Sequence, residues 1–304
     1  GKCVLFKELA DIDAFPICIR SQNDKEIINI VKNISPAFGG INLEDISAPR
    51  CFKIEEELLN IGIPVMHDDQ HGSAIVILAA LMNATKVVNK RIEDLKVVVN
   101  GAGAAGSGVT KLLLCLGIDK NICTSVREIV LCDSKGIIYD GRADLNEFKS
   151  QLAKVTNRTK RIGTLKDALE GADAFIGVST ANLLNSDDLR KMNNDAIVFA
   201  MANPVPEIMF DEARKVAAVV GTGRSDFPNQ INNSLAFPGV FRGALDAKAT
   251  MINNEMKIAA AHALANCIEP TKDNILPYTL DKHVVPKVAE AVRKAAIESG
   301  VIRK

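Results

Sequence analysis

The sequence has no tryptophan and only two tyrosines among its 304 residues, so aromatic side chains that could stack on nucleic-acid bases are scarce. Lys+Arg and Asp+Glu both number 37, so there is no excess of charge of one sign. These deficits give no support to a nucleic-acid partner or a charged membrane surface. No apolar run reaches membrane-spanning length and no signal-peptide pattern is recognisable, so we expect no membrane partner.

The seven cysteines show neither a Cys-x-x-Cys pair nor the spacing of a disulfide framework. Several lie in apolar runs, where free cysteines are commonly buried. We therefore predict free thiols, a reducing compartment and a cytoplasmic location. The composition is otherwise ordinary for a globular protein, with 47% hydrophobic and 24% charged residues, and the length suffices for two domains.

The most informative stretch that is present is the glycine-rich segment Asn100–Gly108. It follows the apolar run Val97–Val99 and leads into an apolar run that stops at Gly117. Strand, glycine turn and helix in this order are the setting in which Gly-x-Gly-x-x-Gly indicates dinucleotide binding. The alternative is a glycine-rich turn between a strand and a helix, with no ligand.

Each glycine of the motif has a separate expected role. Gly101 allows the tight turn, Gly103 lets the backbone approach a pyrophosphate, and Gly106 lets the helix pack closely on the strand. The phosphates would meet free N–H groups at the start of the helix, where Ala104 and Ala105 lie.

After this segment, strand and helix patterns alternate. Apolar runs predict strands at Glu128–Cys132, Ala174–Val178, Ile197–Ala200 and Ala217–Val220. Helices are expected at about 145–155, 164–169, 187–192, 211–216, 254–267 and 284–299. Alternation of this kind predicts an α/β fold with a doubly wound parallel sheet of the Rossmann type. We place this domain, with C-terminal helices, at residues 73–304, and a smaller α/β domain at 1–72.

Two further local expectations concern the N-terminal part. The run Cys3–Phe6 resembles a strand, and Ser73–Asn89 resembles a long buried helix capped by Ser73. Ligands of parallel sheets bind at the carboxyl ends of strands. The polar residues expected there are Asp133, Ser134, Lys135, Ser179, Thr180, Asn203 and the segment 222–233.

Two acidic pairs precede the glycine loop, Glu44-Asp45 and Asp68-Asp69, and each follows an apolar run that predicts a strand. Carboxylates that converge at two strand ends cannot all ionise close together without a cation. A ligand set made only of oxygen favours Mg²⁺ or Mn²⁺ over zinc. The alternative is two solvated acidic loops.

The spacing of His67 and His71 suggests the His-x-x-x-His pair of metalloproteases. However, Asp68 stands where those enzymes need Glu, and we expect Pro64 and Gly72 to prevent a helix there. Two buried or supporting histidines are therefore the preferred interpretation.

An enzyme that oxidises an alcohol needs a base for the hydroxyl proton. By position alone Lys2 is better explained as a solvated charge. Asn203, Asn232 and Asn233 could hold a carboxylate substrate or a nicotinamide amide, but turns and caps explain each of them equally well.

Several segments together resemble a known family, the malic enzymes of the short, bacterial-like type. They are Gly1–Lys7, Asp13–Ile17, Gly39–Pro49, His67–Gly72, Asn100–Gly106 and Thr222–Gly243, in the right order along nearly the whole chain. The resemblance implies oxidative decarboxylation of L-malate to pyruvate and CO2, with reduction of NAD or NADP and a requirement for Mg²⁺ or Mn²⁺. It also implies a homo-oligomer, either a dimer or a tetramer.

The resemblance further implies roles for individual residues. Glu44, Asp45 and Asp69 resemble the metal ligands, and Asp68 resembles the neighbouring carboxylate that supports acid–base chemistry. Lys2 resembles the catalytic lysine, which reverses the interpretation from its position alone. The three asparagines named above resemble contacts to malate and to the nicotinamide end of the cofactor.

In one respect the sequence departs from the family pattern. The family has a catalytic tyrosine and a substrate-binding arginine upstream of the lysine segment, and neither Tyr139 nor Tyr278 lies in a matching motif. We therefore expect an incomplete N-terminal domain and weak protonation of the enol product by this chain alone. The alternatives are a non-catalytic dinucleotide-binding fragment and an unrelated Rossmann dehydrogenase without metal dependence.

The choice of cofactor stays open. An acid at Asp133 favours the ribose hydroxyl of NAD, but it lies farther from Gly101 than the usual separation of about 20 residues. Lys135 is close enough in sequence to pair with the 2′-phosphate of NADP instead.

Overall fold

The computed structural model describes residues 1–303, which divide into two compact units. The first unit holds Gly1–Val76, Asn232–Cys267 and the described residues from Pro277 onward. The second holds Ile77–Ile231 and Ile268–Leu276.

The helices are α1 Lys2–Ala10, α2 Asp24–Ile34, α3 Arg50–Leu58, α4 Asp68–Val87, α5 Ala104–Leu113, α6 Glu147–Ala153, α7 Leu165–Ala168, α8 Ser186–Leu189, α9 Phe210–Ala213, α10 Phe237–Asp246, α11 Asn254–Ala265 and α12 Val284–Glu298. The strands are β1 Ile41–Leu43, β2 Val65–His67, β3 Lys96–Asn100, β4 Glu128–Asp133, β5 Gly136–Ile137, β6 Ala174–Gly177, β7 Ile197–Ala200 and β8 Val219–Thr222. Short 3-10 turns lie at Ser35–Ala37, Ile92–Asp94 and Asn233–Leu235.

In the first unit, β1 and β2 form a two-stranded parallel sheet in which Leu43 pairs with His67. Because parallel strands end at the same edge, this register brings the residues after β1 beside the residues after β2. The acidic pairs Glu44-Asp45 and Asp68-Asp69 follow those two strands directly. The sheet thus explains why residues separated by 24 positions can share a site.

In the second unit, six strands form a sheet in the order β5-β4-β3-β6-β7-β8. All neighbouring pairs are parallel except β4 and β5, which are antiparallel at the edge. The order changes direction at β3, as in doubly wound sheets. Continuous burial of Val97, Val98 and Val99, each at most 1% exposed, fits a sheet covered on both faces. The predicted α/β fold class is confirmed.

The prediction of a strand at Cys3–Phe6 is wrong, since these residues lie in α1. Phe6 and Ala10, four positions apart, are the buried residues of this helix, whereas Val4 is 61% exposed. The Phe6 ring packs edge-on against Phe237 and Phe241 of α10 at centroid distances of 4.7 and 5.4 Å. A four-residue apolar run cannot distinguish a strand from one buried face of a helix.

Helix α4 also begins earlier than expected, at Asp68 rather than at Ser73. The two acids stand in its first turn, where the helix dipole favours negative charge. Gly72 does not break the helix. A Cβ there would lie 1.8 Å from Oδ1 of Asp68, so glycine provides the space that the carboxylate occupies.

Two more features differ from expectation. Cys115 and Cys123 form a disulfide, so the prediction of free thiols is wrong for this pair, whereas the other five cysteines are free. By their contacts, α10, α11 and α12 belong to the first unit, whereas the sequence placed them with the dinucleotide-binding domain. Helix α10, which no sequence pattern had indicated, buries Phe237, Val240 and Phe241.

Candidate active site

Three carboxylates lie together at the ends of β1 and β2. Single oxygen atoms of Glu44, Asp45 and Asp69 all lie within 4.8 Å of one another. Asn42 Nδ2 donates to Glu44 Oε2 at 3.0 Å, and the backbone N–H of Asp45 donates to Asp69 Oδ2 at 3.1 Å. An all-oxygen, anionic donor set of this kind suits a hard divalent cation such as Mg²⁺ or Mn²⁺.

Beside this cluster, Lys2 contacts Asp68. Lys2 Nζ donates to Asp68 Oδ2 in a close ion pair and lies 3.3 Å from Glu44 Oε1. Asn233 Nδ2 donates to the same Asp68 oxygen at 2.7 Å. The lysine ammonium also stands over the Phe237 ring, 4.5 Å from its centroid. Helix α1 therefore places Lys2 in the site rather than in solvent.

The surroundings shift the proton affinity of these groups. Burial lowers the pKa of Lys2 below its ordinary value of 10.5 and outweighs the attraction of the nearby carboxylates, of which Glu44 contributes most. Burial also raises the pKa of Glu44, against the opposing effect of Lys2. An amine with a lowered pKa is more readily available in its neutral form and is better suited to accept a proton.

Asp68 is fully buried, and its Oδ1 has no hydrogen-bond partner among the described residues. A buried carboxylate oxygen without a donor is costly, so such atoms are uncommon away from functional sites. This oxygen and the three clustered carboxylates therefore fit a site that binds a cation or a substrate hydroxyl.

A buried carboxylate that the sequence did not reveal, Glu55 of α3, supports the start of α4. Its Oε1 accepts from the backbone N–H of His67 at 2.8 Å, and its Oε2 accepts from Gln70 at 3.1 Å and contacts His71 Nε2 at 2.9 Å. Burial would raise the pKa of Glu55, but His71 and Lys257 outweigh it and lower the pKa to about 2.

The two histidines do not form a zinc pair. His67 ends β2 with its Nε2 3.1 Å from the carbonyl oxygen of Ile46, whereas His71 lies in α4 and faces Glu55. The expectation that no helix would form here was wrong for His71. His67 thus contacts the loop that carries Asp45, and His71 contacts Glu55, which holds the start of the helix that carries Asp69.

In the second unit, the glycine loop has the geometry that dinucleotide binding requires. Gly101 has φ +118, and a Cβ at Gly106 would lie 1.6 Å from the Gly101 carbonyl oxygen. A Cβ at Gly103 would contact nothing within 4 Å, so the backbone there is open to a ligand. Helix α5 begins at Ala104, followed by Ala105, with no side-chain cap on its first N–H groups. A pyrophosphate fits these observations.

At the end of β4, Asp133 is already paired. Its Oδ2 accepts from Arg142 at 2.5 Å and from Lys149 at 2.6 Å, and these bonds outweigh burial and lower its pKa to about 2.

The Lys135 side chain is 69% exposed and pairs with Asp144 at 2.9 Å. Arg142 and Lys149 are cations that the sequence did not indicate, because they lie in a loop and a short helix downstream. Ser134, beside them, is exposed.

The remaining predicted site residues are divided between the two units. Ser179 and Asn203 follow β6 and β7 in the second unit and are exposed, and Asn100 Nδ2 donates to Ser179 Oγ at 2.7 Å. Asn232 and Asn233 belong to the first unit. Asn232 Oδ1 caps a 3-10 turn by accepting from the N–H and hydroxyl of Ser234, whereas Asn233 reaches Asp68.

Comparison with known proteins gives a consistent result. Residues 70–297 match the family model "Malic enzyme, NAD binding domain", and residues 20–59 match "Malic enzyme, N-terminal domain". The bifunctional malic/malolactic enzyme of Bacillus subtilis (strain 168) is 54% identical over 100% of this chain and 73% of that protein. The NAD-dependent malic enzyme of Geobacillus stearothermophilus is 52% identical over 100% of this chain and 63% of its own length.

A solved structure agrees with these sequence matches. The malic enzyme from Pyrococcus horikoshii Ot3 superposes with a TM-score of 0.93 and 44% identity, over 100% of this chain and 71% of that one. The chain thus spans roughly two thirds to three quarters of the length of these relatives. The family match covers most of the sequence, and the chain belongs to the malic enzyme family.

Proposed function

We propose that this protein oxidatively decarboxylates L-malate to pyruvate and CO2 with reduction of NAD or NADP. The observation that carries this proposal is the contact of Lys2 with Asp68 beside the cluster of Glu44, Asp45 and Asp69. A lysine of lowered pKa next to an all-oxygen cation site fits the removal of a proton from a chelated 2-hydroxy acid.

In this proposal Glu44, Asp45 and Asp69 hold a Mg²⁺ or Mn²⁺ ion. When bound, the ion would act as a Lewis acid that anchors the 2-hydroxy acid and withdraws electrons during loss of CO2. Glu44 and Asp69 are oriented by the donors described above, so little rearrangement of these side chains is needed.

The residues of the chain then carry the proton. Lys2, in its neutral form, takes the hydroxyl proton at Nζ. A bound nicotinamide would supply the hydride acceptor. Asp68 Oδ2 accepts a hydrogen bond from Lys2, so it stabilises the ammonium that results. Asn233 holds that carboxylate oxygen in place with its amide. Asn232 and Asn203 are proposed as contacts to malate and to the nicotinamide end.

The test is a stoichiometric assay on the protein as it exists. With malate and either dinucleotide, we expect equal amounts of reduced cofactor, pyruvate and CO2. Activity should disappear on addition of a chelator and return with Mn²⁺. Activity that resists the chelator contradicts the metal role, and saturable dinucleotide binding without turnover supports the alternative of a non-catalytic fragment. Lactate is measured as well, because it would indicate decarboxylation without net oxidation.

The same assay also measures whether the protein prefers NAD or NADP. Asp133 is the residue expected to receive a ribose hydroxyl, but Arg142 and Lys149 pair with it, and such cations could also meet a 2′-phosphate. Comparison of KM for NAD and for NADP distinguishes the two.

We also propose that the protein forms a homo-oligomer, a dimer or a tetramer, in the cytoplasm. Light scattering coupled to size exclusion measures the first point. None of the described helices is both long and apolar enough to cross a membrane.

A further inference from the structure

The second unit contains a buried carboxylate that no motif explains. Glu207 lies after β7 and is 0% exposed. No ion pair to Glu207 occurs within residues 1–303, so its charge is not balanced by a neighbouring cation. Buried acids without such a partner are uncommon, because transfer of a charge out of water is unfavourable unless hydrogen bonds compensate.

The compensation comes from two backbone loops. Glu207 Oε1 accepts from the N–H of Ser179 at 2.8 Å, and Oε2 accepts from the N–H of Ala202 at 3.0 Å. Ser179 follows β6 and Ala202 follows β7. Each carboxylate oxygen therefore holds one of two adjacent loops at the carboxyl edge of the sheet, where ligands of such folds bind.

The strand end is shaped around this carboxylate. A Cβ at Gly177, the last residue of β6, would lie 2.4 Å from the Glu207 carboxyl carbon. The backbone oxygen of Glu207 also accepts from the N–H groups of Leu183 and Leu184, which extends the connection to the rest of the Ser179 loop. Burial raises the pKa of Glu207, and the backbone donors oppose that shift by favouring the ionised form.

We propose that Glu207 is a positioning residue that fixes the Ser179 loop and the Ala202–Asn203 loop relative to each other, and thereby sets the affinity for the nicotinamide half of the dinucleotide. The proposal rests on the proposed function in one respect, namely that these loops contact the cofactor. It assigns no contact between Glu207 and any ligand.

The chemistry of the residue predicts a specific failure. Glutamine has nearly the same shape, but its amide group has one acceptor oxygen and one NH2 donor. In Glu207→Gln, one of the two backbone N–H groups would face a donor and lose its partner. The variant loses a hydrogen bond to a charged group and leaves one N–H unsatisfied, so one of the two loops is released. We expect the affinity for a dinucleotide with a nicotinamide half to fall by about tenfold or more.

The experiment compares two ligands in the full chain by calorimetry. NADH engages both ends of the site, whereas ADP-ribose lacks the nicotinamide and tests the glycine loop alone. Glu207→Gln is expected to raise the Kd for NADH by about tenfold or more and the Kd for ADP-ribose by less than about twofold. Glu212→Gln, a change of a partly exposed acid in the same unit that pairs with Lys215, is the matched control and should alter neither.

Equal changes in both dissociation constants, or no change in either, would overturn the proposal, because a merely structural acid affects the two ligands alike. If Glu207→Gln does not fold, Gly177→Ala gives the same comparison by displacing the carboxylate. If neither variant folds, hydrogen exchange in the unmodified protein decides. Slow exchange at Ser179 and Ala202 is expected, and exchange as fast as in exposed loops contradicts the inference.

The result is separable from the proposed function. If the protein oxidises malate but Glu207→Gln changes the Kd for NADH and the Kd for ADP-ribose equally, the role of Glu207 is contradicted and the proposed function is not. Selective loss of NADH affinity in a protein that never oxidises malate would do the reverse.

Discussion

The carboxylate site of the first unit and the glycine loop of the second are built in different ways. The carboxylate site uses side chains from distant parts of the chain, including Lys2, Glu44, Asp69 and Asn233, and it depends on a buried acid, Glu55, for support. The glycine loop uses consecutive residues and mostly backbone groups. One region depends on charge and the other on the absence of side chains, so substitutions should affect them differently.

Substitution of Lys2, the proposed general base of the first unit, should reduce turnover more than any other change. Lys2→Ala should lower kcat by about 10²- to 10⁴-fold, because no other amine contacts Asp68 among the described residues, and should leave the Kd for NADH unchanged. Lys7→Ala, an exposed change on the same helix, is the control and should retain activity. Steady-state rates with malate check this pair. Equal losses in both variants would mean that α1 contributes only to packing.

The second prediction tests how much the first unit depends on the buried charge of Glu55. Glu55→Gln removes a buried negative charge that faces His71 and Lys257, so we expect the free energy of unfolding to fall by about 3 kcal/mol. Mn²⁺ affinity should fall as well, because the start of α4 loses its anchor. Glu57→Gln, on the exposed side of the same helix, should do neither. Denaturant unfolding and Mn²⁺ titration measure the two quantities, and unchanged Mn²⁺ affinity would separate Glu55 from the site.

The matching change in the second unit is Gly106→Ala. The new methyl group would overlap the Gly101 carbonyl, so we expect about 2 kcal/mol of destabilisation. Gly103→Ala meets open space and should leave stability nearly unchanged while it weakens dinucleotide binding. Thermal unfolding with and without NADH distinguishes the two. Similar melting temperatures for both variants would contradict the close contact of the loop with its helix.

The smallest expected effect concerns pH. The pKa of Asp133 is held at about 2, below the ordinary 3.8, by Arg142 and Lys149. A lowered carboxyl pKa contributes stability above pH 3.8 that is lost as the pH falls towards 2. Asp133→Asn should therefore destabilise by up to about 2 kcal/mol at pH 7 and show a flatter decline in acid. Urea unfolding from pH 6 to pH 3 checks the slope, and parallel curves would contradict the pairing.

The glycine loop is local in sequence and the carboxylate site is not, and this difference explains which features the sequence could predict. The glycine loop and the alternating sheet follow local patterns, and the structure confirms the fold class with its parallel strands. The acidic pairs were recognised because each follows an apolar run. The roles of Lys2 and Asn233 came from resemblance to a family, since no local pattern shows that residues 2, 68 and 233 meet.

Other features could not be predicted because they depend on tertiary contacts. Cys3–Phe6 forms a helix because α10 buries the Phe6 ring, and Gly72 stays within a helix because the Asp68 carboxylate occupies the space beside it. Glu55 and Glu207 are ordinary acids in the sequence and are distinguished only by burial and by the backbone groups that donate to them. The roles assigned to the individual site residues stay predictions until they are measured.

The most direct test of the proposed cation site is Mn²⁺ binding followed by electron paramagnetic resonance, which does not require turnover. We predict one saturable site in the unmodified protein, which is lost in Asp69→Asn and retained in Asp13→Asn, an exposed acid of the same unit. Absence of saturable binding, or equal binding by Asp69→Asn and the unmodified protein, would contradict the claim that Glu44, Asp45 and Asp69 form the cation site.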